Sequence, residues 1–331
     1  PYNYCFYFFK VYLEFSSMHN LLDPAILFFL FGVFAGIIRS NLEIPPAITK
    51  FLSLYLLMAL GLKGGFALQK AGLTIEVATT LLIGMFLAVV IPILGYWVLK
   101  RKVGTDDAAA IAATYGSVSA VTFITAGQFL DLNGIGYGGH MAATMALMES
   151  PAILLAIFLS NYAKKQKNIN IKDTLHKSFT DGAQLVLIGA MIVGLLTGDK
   201  GESIMAPFSI DLFKGMLAFF LLDMGLMVAK NFKQVMNKPI YLLMYGVFAP
   251  PVHAMLALIL CLLFTVPLGE TIILMVLAAS ASYIAVPAAL KYALPKANPG
   301  LYFGMSLGLT FPINIIIGIP LYTYIAKLFI Q

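Results

Sequence analysis

Ten apolar runs follow one another along this chain with only short polar segments between them. They cover 22–39, 46–66, 73–99, 106–126, 140–163, 182–198, 212–229, 239–264, 271–293 and 300–328. A helix crossing a bilayer needs about 20 mostly apolar residues, and inside lipid every backbone group must be satisfied within the chain. The runs therefore predict an all-α integral membrane protein of ten spans. Composition agrees: 60% of the 331 residues are hydrophobic and 11% charged, where a soluble domain carries about 25% charged. The mean hydropathy is +0.91. The fourth and ninth spans are rich in Ala, Ser, Thr and Gly, which predicts burial among neighbouring helices.

The polar stretch 164–181 divides the spans into a first set of five, 22–163, and a second, 182–331. The two halves echo one another. Ala113-Thr-Tyr-Gly-Ser-Val-Ser-Ala-Val-Thr122 in span four and Leu277-Ala-Ala-Ser-Ala-Ser-Tyr-Ile-Ala-Val-Pro287 in span nine place Ser117 and Ser119 on Ser280 and Ser282. Gly61 of span two falls on Gly225 of span seven. Glu149-Ser-Pro-Ala152 of span five falls on Thr310-Phe-Pro-Ile313 of span ten, and Pro92 lies near the place of Pro250 and Pro251. Five is odd, so the second half must enter from the opposite side and form an inverted repeat. Lys and Arg set the orientation. Loops following odd-numbered spans hold fifteen of the 21, among them Arg39, Lys100 to Lys102 and Lys230, against six on the other side. Both termini are expected outside a cell (inner) membrane, and 164–181 in the cytoplasm as a connector. Residues 1–17, aromatic and without an initial Met, read as an extension called too early, with Met18 as the natural start.

No Lys or Arg lies well inside a span. An anion at midplane would be held by hydroxyls, backbone N–H groups and half-helix N-termini, which suits a small monoanion better than a phosphate ester. Gly116 and Ala120, flanking Ser117 and Ser119, would let it approach the backbone. With Ser280, Ser282 and Tyr283 they form the expected substrate set. Pro287 removes a donor, so the carbonyls freed one turn back, with hydroxyls, would be hard oxygen ligands for Na⁺. Ser and Thr in membrane helices also serve plain packing; recurrence in both halves favours a site. The expected cation set is Thr122, Glu149, Ser282, Thr310 and Asn314. Glu149 sits at a depth where charge costs at least ~2.5 kcal/mol, so it ligands a cation, relays a proton or accepts backbone N–H groups near Pro151, a cation-linked or site-supporting role being favoured. Asn314 is a ligand or an interhelical bridge, Tyr283 an anion-side donor or a packed aromatic, and Asp223 a scaffold or interface residue. The two cysteines, Cys5 and Cys261, and the histidines have no metal-ligand spacing, and no transition metal or other cofactor is expected. Neither nucleic acid binding nor catalysis is indicated: the basic residues fall between apolar runs, and no nucleophile–base–acid set, phosphate loop or zinc motif occurs.

Gly116-Ser-Val-Ser-Ala-Val-Thr122, Met148-Glu-Ser-Pro-Ala152, Phe220-Leu-Leu-Asp-Met-Gly-Leu226, Ala279-Ser-Ala-Ser-Tyr-Ile-Ala-Val-Pro-Ala-Ala289, Lys296-Ala-Asn-Pro-Gly-Leu-Tyr302 and Leu307-Gly-Leu-Thr-Phe-Pro-Ile-Asn314 resemble the sodium-dependent bicarbonate transporter family, from about Leu22 to the C-terminus. The resemblance implies core and gate domains, a homotrimer, Na⁺ as the coupling ion, and substrate bound where spans four and nine break. Cyanobacterial members carry three serines and an acid in the ninth span, a further Ser at the place of Val121, Asp at that of Glu149, and a longer connector read by a signalling protein at the cytoplasmic face. This chain departs at each point and resembles the broader bacterial branch. A Na⁺:bicarbonate symporter working by alternating access is the leading expectation. A symporter of another small monoanion, an anion channel and a membrane sensor are the rivals.

Overall fold

The computed structural model describes residues 23–72, 74–163, 182–283, 286, 290 and 294–330. The extension 1–17, the connector 164–181 and Pro287 lie outside them. The described residues form helices and no strand. Six stretches of the described residues are long and apolar enough to cross a membrane; Thr105–Leu132 carries two helices, and Leu185–Phe232 parts of two.

The helices are α1 Pro24–Ile37, α2 Pro46–Ala71, α3 Ile75–Leu99, α4 Thr105–Gly116, α5 Ala120–Leu132 and α6 Met141–Ala163. They continue as α7 Gly182–Ala206, α8 Phe213–Met236, α9 Ile240–Leu263, α10 Leu268–Ala279 and α11 Pro299–Phe329. Local chemistry sets many of the ends. The Asp23 carboxylate caps α1 and Thr74 caps α3, each accepting from N–H groups that have no partner within the helix. Prolines open α1, α2 and α11, where a missing N–H costs nothing. Two π turns, Ser306–Thr310 and Asn314–Gly318, interrupt α11 on either side of Pro312; such turns collect where the hydrogen-bond ladder is broken.

The largest helix interfaces are α2 on α7 and α1 on α8. Both depend on glycine. A Cβ on Gly61 of α2 would lie 2.4 Å from the Leu187 carbonyl oxygen, and one on Gly225 of α8 would lie 2.2 Å from that of Phe29. The backbones can approach this closely only because no side chain intervenes. Exchanging α1 for α7 and α2 for α8 turns one interface into the other. The pair α3–α4 has a counterpart in α9–α10.

The half-helices α4 and α10 are almost wholly buried, where flanking helices α1, α3 and α9 turn residues such as Phe34, Trp97 and Phe248 outward. Asp107 in the first turn of α4 accepts from the N–H of Asn298 at 2.7 Å. Glu270 in the first turn of α10 accepts from the N–H of Gly138, also at 2.7 Å. Each half-helix thus clasps the loop before the final span of the other half.

Candidate functional site

Helix α4 stops at Gly116 and α5 starts at Ala120, leaving Ser117, Val118 and Ser119 between them; Ser117 and Ser119 are in extended conformation. Helix α10 stops at Ala279, and Ser280 is likewise extended. The two breaks face one another and are laced twice. The N–H of Ser119 donates to Ser280 Oγ at 3.0 Å, and the N–H of Ser282 donates to the Thr114 carbonyl at 2.8 Å. All four serines are buried.

Their hydroxyls differ. Ser280 Oγ accepts from Ser119 N and donates to the Leu277 carbonyl at 2.8 Å. Ser119 Oγ caps α5 by accepting from Thr122 N at 3.2 Å and from Thr122 Oγ1 at 2.9 Å. With both acceptor positions used, its own proton is left to point elsewhere. Ser282 Oγ accepts, among the described residues, from Val286 N at 3.2 Å. Ser117 Oγ and the neighbouring Thr114 Oγ1 are buried with no partner among the described residues. Tyr283 Oη lies beside Ser119 but meets no hydrogen-bond geometry. Its ring stacks edgewise on Phe311, centroids 5.1 Å apart.

A cavity of about 40 Å³ opens beside the breaks. It is lined by Ser119, Ala120, Val121, Ser282, Tyr283 and Glu149 on one side, and by Ser53, Leu56, Leu187 and Phe220 from α2, α7 and α8 on the other. Neither Lys nor Arg lines it. At about 10–15 Å³ per water-sized probe, it takes roughly three such atoms. Ala120 and Val121 belong to the first turn of α5, whose N–H groups lack helical acceptors and carry the positive end of the dipole.

The remaining expected ligands lie elsewhere. The space beside Gly116 is filled by the Pro92 ring, 2.4 Å from where a Cβ would stand, so its bare backbone serves helix packing. Thr122 reaches the cavity only through Ser119. Thr310 Oγ1 donates to the Gly246 carbonyl at 2.9 Å and accepts from Tyr115 Oη at 2.6 Å. Asn314 donates from Nδ2 to the Ala279 carbonyl at 2.8 Å and accepts from Tyr322 Oη at 3.2 Å; it bridges helices. Asp223 accepts from Thr49 Oγ1, a contact between α2 and α8.

Sequence reasoning missed three contributors. His253 lies beside the Ala278 carbonyl, between the Leu277 carbonyl capped by Ser280 and the Ala279 carbonyl capped by Asn314. Tyr115 pairs with Thr310, and Ser53 supplies a hydroxyl to the far wall. None carries a local signal, because each acts on residues more than 20 positions away. A family model described as the Na⁺-dependent bicarbonate transporter superfamily matches residues 24–327. No curated protein matches the chain.

Proposed function

From the membership of this chain in the Na⁺-dependent bicarbonate transporter superfamily, a multi-pass membrane transporter family, we propose that it is a Na⁺-coupled bicarbonate symporter working by alternating access. The observation that carries this reading is the doubly laced pair of breaks beside a small cavity with no cationic side chain. Bicarbonate is a small monoanion with both donor and acceptor oxygens. The N–H groups opening α5, the spare Ser119 proton and the Tyr283 hydroxyl offer it donors, while Ser282 Oγ can accept from its hydroxyl. A phosphate dianion would want a guanidinium, and the lining has none.

The cation belongs at the other face of the break. The C-termini of α4 and α10 meet there, and their dipoles are negative. The hydroxyls of Ser117 and Thr114, unpartnered among the described residues, are hard oxygen donors there, while Glu149, which lines the cavity itself, acts on the cation through its charge across the break. Thr310 and Asn314 then act as positioning residues. Coupling has an electrical logic: a monoanion entering a negative interior works against ~2.3 kcal/mol per 100 mV, and one Na⁺ cancels that term.

The same reading takes the fold as two inverted five-helix repeats, with ten spans, termini outside the inner membrane and a cytoplasmic connector. The exchangeable helix pairs, the matched approaches at Gly61 and Gly225, and the reciprocal clasps by Asp107 and Glu270 support it. A homotrimer and a regulatory protein at the cytoplasmic face complete it, both resting on resemblance and tested by native mass spectrometry. Uptake of labelled bicarbonate into liposomes, with and without an inward Na⁺ gradient, tests the activity. Accumulation above equilibrium is expected only with the gradient. Equal flux without it would mean a channel, and full competition by formate would mean a broader monoanion carrier.

A further inference from the structure

A second, much larger cavity of about 700 Å³ lies between α1, α8 and α11 and shares no lining residue with the first. Its walls are apolar, with Val33 and Ile37 on α1, Phe232 on α8 and Ile316 on α11, and its rim holds two cations, Arg39 and Lys230. Ile37 and Phe232 are also exposed, so the walls run out onto the apolar outer surface. The volume is in the range of ordinary ligand pockets.

The cations are available. Lys230 stands 3.9 Å from Glu43, both side chains being well exposed, a pairing that screens it little. Arg39 makes no ion pair among the described residues. It occupies an unusual place in the chain. The end of α1 is closed by Arg39 N on the Gly36 carbonyl and Ser40 N on that of Ala35, the pattern whose left-handed position is normally glycine. Arg39 takes that position at φ 56°, a conformation that costs a side-chain-bearing residue about 1–2 kcal/mol. Arg39 lines the mouth of the apolar groove together with Lys230.

We propose that this groove is a binding site for an anionic phospholipid, with one acyl chain along Val33, Phe232 and Ile316 and the phosphate between Arg39 and Lys230. Basic pockets between spans at the cytoplasmic side are suited to such headgroups. Assignment to the cytoplasmic leaflet rests on the orientation proposed above; the site itself does not. A second copy of the chain is a poorer occupant, since it would need a slender apolar prong with an acidic tip.

The test is native mass spectrometry of the whole purified chain, titrated with phosphatidylglycerol or phosphatidylcholine of the same acyl composition. Phosphatidylglycerol is expected to bind at least about tenfold more tightly, and R39Q/K230Q to weaken it roughly thirtyfold, toward the phosphatidylcholine level. Leu30→Trp, which fills the groove and keeps both charges, should weaken both lipids. Should the double variant not fold, Lys230→Gln and Leu30→Trp decide alone. Equal binding of the two lipids, unchanged phosphatidylglycerol binding in the variants, or displacement by glycerol phosphate at concentrations matching the lipid would each overturn the site. None of these readings depends on transport, so failure of the symporter assignment would leave the result standing.

Discussion

Ser117 and Ser280 occupy equivalent places in the two halves, yet alanine at each should move stability in opposite directions. Ser280 Oγ is the acceptor for the buried Ser119 N–H. Alanine leaves that donor in a dry interior with no replacement, a loss of about 1–3 kcal/mol. The Leu277 carbonyl is spared, because it also accepts from Ser280 N at 3.1 Å. Ser117 Oγ already lacks a partner and is 1% exposed. Its removal relieves a desolvated hydroxyl, so Ser117→Ala should hold or raise stability, by up to about 1–2 kcal/mol. Thermal unfolding in detergent, first without Na⁺, reads the sign directly: a fall of several degrees for Ser280→Ala and none for Ser117→Ala. Adding Na⁺ then separates the roles. A ligand that binds only the folded chain raises its apparent stability with concentration, so the parent should gain with Na⁺ and Ser117→Ala should gain much less. Bicarbonate uptake should fall in both variants. The reasoning is refuted if Ser280→Ala is as stable as the parent, or if Ser117→Ala loses stability in the absence of Na⁺.

Three further outcomes follow from the same contacts. Glu149→Gln keeps the shape of the cavity wall and removes its charge, so the Na⁺ concentration for half-maximal uptake should rise with little change in unfolding temperature; an unaltered Na⁺ curve would leave Glu149 with local backbone bonding only. Tyr283→Phe removes a buried hydroxyl that meets no hydrogen-bond geometry among the described residues and keeps the stack on Phe311, so folding should be little affected while bicarbonate affinity drops several-fold; parental affinity would make Tyr283 a packing residue. Glu270→Ala loses a buried charge-assisted bond to Gly138 N and should cost about 1.5–3 kcal/mol, against under about 1 kcal/mol for the more exposed Asp107→Ala, as equilibrium unfolding would report; equal costs would mean that the clasps do not set the half-helices.

Much of the architecture is legible along the chain because membrane burial is written locally. Apolar length, with Asp23, Thr74 or Asn298 before it and, in α1 and α11, Pro at the first turn, predicts where α1, α3 and α11 begin, without reference to any other segment. The break in span four is legible for a related reason: Gly116, Ser117, Val118 and Ser119 favour helix too weakly and bury too little surface to carry it through. What each polar group does once buried is not local. Asn314 reads equally as a ligand or a bridge until Ala279 and Tyr322 are found on either side of it. Gly116 reads as room for substrate until the Pro92 ring is found in that room. Both depend on how helices from distant parts of the chain cross, and no periodicity within a span encodes that.

The matching of Ser117 and Ser119 with Ser280 and Ser282 along the sequence raises the same point in sharper form. Equivalent serines suggest equivalent work, but two half-helices that cross cannot both present the same groups to one side. Ser119 N meets Ser280 Oγ, while Ser282 N meets a carbonyl, that of Thr114. One half therefore contributes a hydroxyl to the lacing and the other a backbone oxygen, which leaves Ser117 unbonded and Ser280 doubly bonded. A site able to hold an anion and a cation at once needs this inequality. Donors must collect on one side, at the N-terminus of α5, and free oxygens on the other, at the C-terminus of α4. A strictly symmetric crossing would place the same groups on both sides and could not tell the two ions apart.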